Sequence, residues 1–189
     1  MIRMEIYGVS FDLVGKTPIV LLKMVDGNKF LPIWIGHPEA AAILMKIQDA
    51  PVPRPMTHDL VADIVQRLGG EVVSIAVTDL KDSTFYASIK VRQNGDEIEI
   101  DSRPSDAIAI AIRLDAPIFV ADEVMEESAV EFEGEEVSEE EMVAQFKQFL
   151  ETVSPEEFAL DVDADVDVDV DVDVDEGDET DEGDDEPLS

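Results

Sequence analysis

The segment from Ser105 to Leu114, SDAIAIAIRL, constrains the fold more than any other part of the chain. Its alanines favour a helix. Its isoleucines leave that helix without a polar face, and a helix that is apolar on all sides has to be buried. We therefore expect residues 105–114 to form a buried helix of the core.

Two groups of strands are predicted before this helix. Residues 4–13, 17–25 and 29–35 indicate a three-stranded antiparallel meander, with Asp26-Gly27 as a hairpin turn. Residues 71–102 are rich in β-branched and aromatic side chains and have a second hairpin turn at Asn94-Gly95. Residues 117–120 add a short strand. The order predicts a single compact α+β domain, with a mainly antiparallel sheet and helices packed on it.

Two further helices are expected between the strand groups. The first covers residues 37–49, with Pro38 suited to its first turn and an apolar face at Ile43 and Ile47. The second follows Thr57, whose side chain is expected to cap it, and stops at Gly69-Gly70. Its apolar residues share one face: Leu60, Ile64 and Leu68.

The charge of the chain is strongly negative and unevenly distributed. The formal net charge is −33, of which residues 1–132, with 12 Lys and Arg against 21 Asp and Glu, contribute −9. The remaining residues carry Lys147 against 25 acids and contribute −24. Acidic surfaces also occur in ordinary cytosols, but molar salt shortens the Debye length to about 3 Å and makes such a surface tolerable. The composition therefore favours a salt-adapted protein.

Three segments are predicted along the chain. Residues 1–132 form the domain. Residues 133–160 form a helical extension, because Ser138 and Glu141 have the spacing of a capping box before an apolar stripe. Residues 161–189, which begin with repeated Asp-Val pairs, are expected to be a disordered acidic tail, since like charges would crowd one face and the valines have no core to enter.

Cysteine and histidine usage limits the possible chemistry. The chain has no Cys and two His, His37 and His58, so disulfides and thiolate metal sites are excluded. The metalloprotease HEXXH motif, the phosphate-binding P-loop and the hydrolase G-x-S-x-G elbow are all absent. No stretch reaches the roughly 18 apolar residues of a membrane span, and the N-terminus lacks the features of a signal peptide. We expect a cytoplasmic protein without a membrane partner.

Three polar clusters precede or open predicted helices, at residues 36–39, 54–59 and 101–106. Free N–H groups at a helix start favour an anion such as phosphate. The clusters suggest metal-assisted phosphodiester cleavage, with His58 as general acid or base and Arg103 stabilising charge on phosphorus. Three carboxylates are the candidate ligands of Mg²⁺ or Mn²⁺: Asp59, Asp101 and Asp106.

A purely structural interpretation of these residues is also open. Ser105 is a good N-cap by type, and Asp106 complements the helix dipole in the first turn. Arg103 could simply pair with Asp101 or Asp59 where a strand meets a helix. His58 could be exposed or hydrogen-bonded without a chemical role.

Four stretches together resemble the bifunctional nuclease domain family: LPIWIGHPEAAAI, RPMTHDLV, DLKDSTFYASI and IDSRPSDAIAIAIRLDAPIFV. The resemblance spans about residues 1–130. With its acidic tail, the chain resembles a salt-adapted, haloarchaeal-type member of the family. It implies a compact α+β fold that associates with copies of itself, and DNase and RNase activity, which is attributed to plant members. The motif residues that could serve a nuclease are His58, Asp59, Asp101, Arg103, Ser105 and Asp106.

Two functions remain in competition. The first is a metal-dependent nuclease that cleaves DNA and RNA with low sequence selectivity. The second is a non-catalytic oligomeric binding or regulatory module. The net negative charge opposes nucleic-acid binding, which normally depends on Lys and Arg contacts to phosphate, but the family resemblance and the grouping of His, Asp and Arg favour the nuclease.

Overall fold

Eight strands form one sheet in the order β6-β5-β4-β7-β1-β2-β3-β8. The structure is a computed structural model and describes residues 1–11 and 17–131. The strands are β1 (Ile2–Phe11), β2 (Pro18–Met24), β3 (Lys29–Trp34), β4 (Gly70–Lys81), β5 (Thr84–Gln93), β6 (Asp96–Ser102), β7 (Ile118–Val120) and β8 (Val130–Glu131). The helices are α1 (His37–Ile47), α2 (Thr57–Arg67), α3 (Pro104–Leu114) and α4 (Asp122–Ser128).

Strand β7 joins the two predicted strand groups into a single sheet. The meanders β1-β2-β3 and β4-β5-β6 are antiparallel throughout. β7 pairs with β1 in antiparallel fashion and with β4 in parallel fashion, and Ile118 is opposite Met4 on one side and Ile75 on the other. The mainly antiparallel α+β fold predicted from the sequence is confirmed.

The four helices of the described residues contribute to one hydrophobic core on the same face of the sheet. Helix α3 contacts α1, α2, β4 and β5, and Ala107, Ile108, Ala109 and Ala111 are fully buried. The expectation that this helix is buried in the core is therefore confirmed. A smaller cluster of Ile19, Leu21 and Phe30 lies on the opposite face, because these residues alternate with the core residues of β2 and β3.

Both predicted helix caps are wrong, by one residue in α2 and by two residues in α3. Met56 is the N-cap of α2 and Arg103 is the N-cap of α3, so Thr57 and Ser105 lie inside their helices and neither is a cap. Pro104 is the reason in α3: its fixed φ suits the first helical position, and the helix begins there. Ser105 follows inside the first turn and is buried.

The predicted apolar faces of α1 and α2 are only partly buried. Ile43 is in the core, but Ile47 is about half exposed. On α2, Leu60, Ile64 and Leu68 are 52%, 47% and 68% exposed. The helix turns its neighbouring stripe of Val61, Ala62 and Val65 toward the core instead.

The predicted helical extension of residues 133–160 and the predicted acidic tail of residues 161–189 lie outside the described residues. The boundaries proposed for these segments stay predictions. Within residues 1–11 and 17–131, no helix combines the length and the apolar character that crossing a membrane requires.

Candidate functional site

The starts of α1, α2 and α3 meet at one place, and they carry the three polar clusters of the sequence. Arg103, the N-cap of α3, reaches Glu39 in the first turn of α1. Asp106, in the first turn of α3, reaches His58 in the first turn of α2. Pro38 and Pro104 fix the first turns of α1 and α3. Side chains up to 64 residues apart in the sequence therefore form one polar group.

His58 and Asp106 form a hydrogen-bonded pair with 3.0 Å between His58 Nε2 and Asp106 Oδ1. Burial raises the pKa of Asp106, but the hydrogen bonds from Arg103 and His58 and the nearby positive charge outweigh burial and lower that pKa below its ordinary value. Asp106 is therefore ionised at neutral pH and can only accept a hydrogen bond. It follows that His58 Nε2 donates, and that neutral His58 keeps its lone pair on Nδ1.

Arg103 lies between two carboxylates. Its Nε donates to Asp106 Oδ2 at 2.8 Å, and its Nη2 donates to Glu39 Oε1 at 2.8 Å. The hydrogen bond with Asp106 is the main cause that raises the pKa of Arg103. The arginine side chain is 66% exposed, whereas Glu39 is largely covered. One edge of a permanently charged guanidinium therefore faces solvent beside the His58–Asp106 pair.

Asp59 points away from this group and binds Arg113 instead. Its Oδ2 accepts a hydrogen bond from the Met56 N–H at 2.9 Å, and its Oδ1 accepts one from Arg113 Nε at 2.5 Å. Burial raises the pKa of Asp59, but these two bonds and the charges of Arg113 and His58 lower it overall. Asp59 thus helps to close the first turn of α2 and ties α2 to α3.

The predicted partners of Arg103 are wrong: it pairs with Asp106 and Glu39, not with Asp101 or Asp59. Asp101 is on β6 opposite Ser88, with an exposed side chain that makes no hydrogen bond or ion pair with any described residue. Of the six predicted site residues, the structure thus places His58, Arg103 and Asp106 in direct contact. Asp59, Asp101 and Ser105 lie outside that contact network.

The predicted ligand set for a divalent cation does not fit the arrangement. Both carboxylate oxygens of Asp59 and of Asp106 already accept hydrogen bonds. Asp101 does not join them, and residues 1–11 and 17–131 contain no group of three or more His, Cys, Asp or Glu able to hold a metal ion.

The predicted site set omits Glu39, which bonds to Arg103 in the network, and Arg113, which holds Asp59 beside it. Arg113 had a signal in the sequence: it is a charged residue in a helix expected to be buried on all sides, and a buried charge requires partners. The sequence signal for Glu39 was only its place in the first turn of α1. That place is as typical of a residue that complements the helix dipole as of a site residue.

Together these features define a small α+β domain whose polar site has an Asp-oriented histidine next to an exposed arginine. That combination is suited to acid–base chemistry on an anionic substrate. The family model of the bifunctional nuclease domain matches residues 20–133. The chain belongs to the bifunctional nuclease domain family.

Relatives occur in bacteria and in plants. An uncharacterized protein of Mycobacterium tuberculosis is 37% identical over 162 residues, which cover 82% of this chain and 97% of that protein. Bifunctional nuclease 1 of Oryza sativa subsp. japonica is 31% identical over 105 residues, and Bifunctional nuclease 2 of Arabidopsis thaliana is 32% identical over 105 residues. Each plant match covers 53% of this chain and 32% of the plant protein.

Proposed function

We propose that the protein is a nuclease that hydrolyses phosphodiester bonds of DNA and RNA with low sequence selectivity. The observation that carries the proposal is the His58–Asp106 pair beside the exposed Arg103. Membership of the bifunctional nuclease domain family and the names of the plant relatives support the same substrate class.

In the proposed mechanism, Asp106 holds the proton of His58 on Nε2 and so keeps Nδ1 available as a base. Nδ1 takes a proton from a water molecule while the water oxygen forms a bond to phosphorus. The bond from phosphorus to the leaving sugar oxygen breaks, and that oxygen takes a proton from solvent. Asp106 stabilises the imidazolium that forms at His58, as a carboxylate does in a Ser-His-Asp triad.

Arg103 stabilises the negative charge that builds up on the phosphoryl oxygens. A guanidinium binds two such oxygens through parallel hydrogen bonds, and it stays charged at any relevant pH. Because Glu39 already accepts from Nη2, a substrate phosphate has to share or replace that contact. Glu39 is therefore a competitor of the substrate for the arginine.

A non-catalytic oligomeric binding or regulatory module is the second candidate. The observation that favours it is the half-exposed apolar stripe of Leu60, Ile64 and Leu68 on α2, because exposed apolar patches commonly mark protein contacts. If the protein is such a module, the polar network serves only to hold the helices together. Its function is then carried by self-association of the chain. The expected homo-oligomer is compatible with both candidates.

The proposed setting is a salt-rich cytosol, and the net charge of −33 supports it. Under low salt this charge repels a polyanionic substrate. Salt at molar concentration screens that repulsion within about 3 Å. The assay of the proposed activity therefore belongs in concentrated potassium chloride.

The experiment compares cleavage of labelled single-stranded RNA and DNA by the full chain, with Mg²⁺, with Mn²⁺ and with a chelator. The variants are His58→Ala and Asp101→Asn, purified identically and shown to be folded by circular dichroism. The proposed function predicts loss of cleavage in His58→Ala and near-normal cleavage in Asp101→Asn. Cleavage that disappears with Asp101→Asn would instead favour the metal-ligand role predicted from the sequence, and absence of cleavage in every form would favour the oligomeric module.

A further inference from the structure

We propose that Arg113, acting through Asp59, is a positioning residue that sets His58 against Asp106. The inference rests on the proposed function, since it concerns the geometry of the same site. Arg113 contacts neither His58 nor Asp106. Its effect is exerted through the backbone of α2, because Asp59 immediately follows His58.

Arg113 is a buried cation, and its contacts join the three helices of the site. Its side chain is 5% exposed. Nε donates to Asp59 Oδ1 on α2 at 2.5 Å, Nη2 donates to the Ala42 carbonyl on α1 at 3.1 Å, and Nη1 donates to the Ala109 carbonyl on α3 at 2.8 Å. One guanidinium fork thus fixes α1 and α2 relative to α3.

Two consecutive residues of α2 are held by two residues on one side of α3. His58 is bonded to Asp106, and Asp59 is bonded to Arg113. Asp106 and Arg113 are seven residues apart, which is two helical turns or about 10.5 Å along the axis, so they project from the same side of α3. A displacement of Asp59 from Arg113 therefore moves His58 relative to Asp106.

The rest of the local structure gives the start of α2 little other support. The residues before it, Pro51 to Pro55, are exposed. Leu60, the apolar residue in the first turn of α2, is also exposed. The first turn of α2 is therefore held by polar contacts, namely the Asp59–Arg113 contact, the His58–Asp106 bond and the capping bond from Met56 to Asp59. Packing of Val61, Ala62 and Val65 on the core holds the helix beyond that turn.

An arginine is required because three acceptors lie in different directions around the side chain. The planar guanidinium serves all three with fixed geometry, whereas a lysine ammonium is a point charge on a flexible stem. Arg113→Lys thus keeps the buried positive charge and loses the geometry. It is the variant that separates positioning from charge.

The activity test is a double-mutant cycle in the full chain, with an RNA substrate. Arg113→Lys is expected to lower kcat about tenfold or more with KM changed less than about threefold, because a small misplacement of a reacting group lowers kcat strongly. In the His58→Ala background the same change is expected to cause no further loss. Arg67→Lys is the matched control, because Arg67 pairs with Asp63 on the exposed side of α2. Equal losses from Arg113→Lys with and without His58 would overturn the inference.

A second readout needs no activity at all. The chain has only two histidines, so the imidazole nitrogen signals of His58 can be followed by NMR with His37 as the internal reference. Arg113→Lys, and also Asp59→Asn, should alter the Nε2 signal of His58 and leave His37 unchanged. An unaltered His58 signal in both folded variants would overturn the inference. If the signal changes while the wild type cleaves nothing, the positioning inference stands and the proposed nuclease fails.

Discussion

At the scale of single residues, Asp106 has the largest number of roles. It accepts from His58 with one oxygen and from Arg103 with the other. It therefore sets both the imidazole tautomer and the position of the guanidinium. The proposed chemistry needs both, which makes this carboxylate the most sensitive position outside His58.

Replacement of Asp106 by Asn tests that role. The amide is almost the same shape but is neutral, so it no longer stabilises an imidazolium and no longer enforces a donor at Nε2. We expect kcat on RNA to fall by about a hundredfold or more. Asp63→Asn, a change of the same type on the exposed side of α2, should leave kcat unchanged. An Asp106→Asn variant with nearly normal kcat would remove the histidine from the mechanism.

Glu39→Gln tests the competition for Arg103. The change removes one of the two carboxylates that hold the guanidinium. Because Arg103 is largely exposed to solvent, its ion pair with Glu39 contributes up to about 1 kcal/mol. We therefore expect KM to fall by about two- to fivefold with kcat retained. Glu71→Gln, which breaks the exposed contact with Arg92 on the sheet, serves as control. A higher KM in Glu39→Gln would mean that Glu39 orients the arginine for the substrate.

At the scale of elements, the packing of α2 on α3 depends on ionised carboxylates. The pKa of Asp59 in the folded protein lies below its ordinary value of 3.8. Its contribution to stability is therefore fully present above that ordinary pKa and is lost as the pH falls through the lower folded value. Asp106, whose pKa is also lowered, acts in the same direction.

Asp59→Asn should make the domain less sensitive to acid. We expect the free energy of unfolding of the variant to be lower than that of the wild type at neutral pH. The difference should shrink below about pH 4, because Asp59 of the unfolded wild-type chain binds a proton there before Asp59 of the folded protein does. Chemical denaturation across this range measures it. A difference that stays constant down to about pH 2 would show that Asp59 is not ionised in its contact with Arg113.

The sequence was informative about elements and less so about their contacts. The Ala-Ile run predicted a buried α3 because no polar face was available, and the alternating segments predicted both meanders. The stripe on α2 was ambiguous: Leu60 and Ile64 compete with Val61 and Val65, and only packing against α3 decides which stripe is buried. The periodicity of a helix does not specify its rotation when two adjacent stripes are apolar.

Similar limits apply to the site. The three polar clusters could be chosen from the sequence, because each combines Pro with charged or His side chains at a helix start. The structure brings these helix starts together. The partners of Arg103 could not be derived, because Asp101 is closer to it in sequence than Asp106 but lies on the exposed strand β6. Arg113 acts over long sequence separation, on Asp59 and on the Ala42 carbonyl, which no local pattern encodes.

At the scale of the whole molecule, the charge controls access to the site. With a net charge of −33, long-range repulsion opposes every polyanion. Few basic groups lie at the site, so counterion release contributes little favourable free energy to nucleic-acid binding. Repulsion by the net negative charge contributes a large unfavourable free energy. This balance is the reverse of that in a typical nucleic-acid-binding protein.

The salt dependence of KM follows from that balance. We expect KM for RNA to fall as potassium chloride rises from about 0.1 M to about 2 M, since screening shortens the Debye length from about 10 Å to about 3 Å or less. A phosphodiester substrate with a single negative charge should show a much weaker trend. A KM for RNA that rises steadily with salt would show that phosphate contacts, and not net repulsion, control binding.

The most direct measurement of the central claim is the ratio of RNA cleavage rates for His58→Ala and His37→Ala in concentrated potassium chloride. Both variants remove a histidine from the first turn of a helix, but only His58 is bonded to Asp106. The account predicts that His58→Ala retains about 1% of the wild-type rate or less and that His37→Ala stays within about twofold of it. Equal rates for the two variants would contradict it.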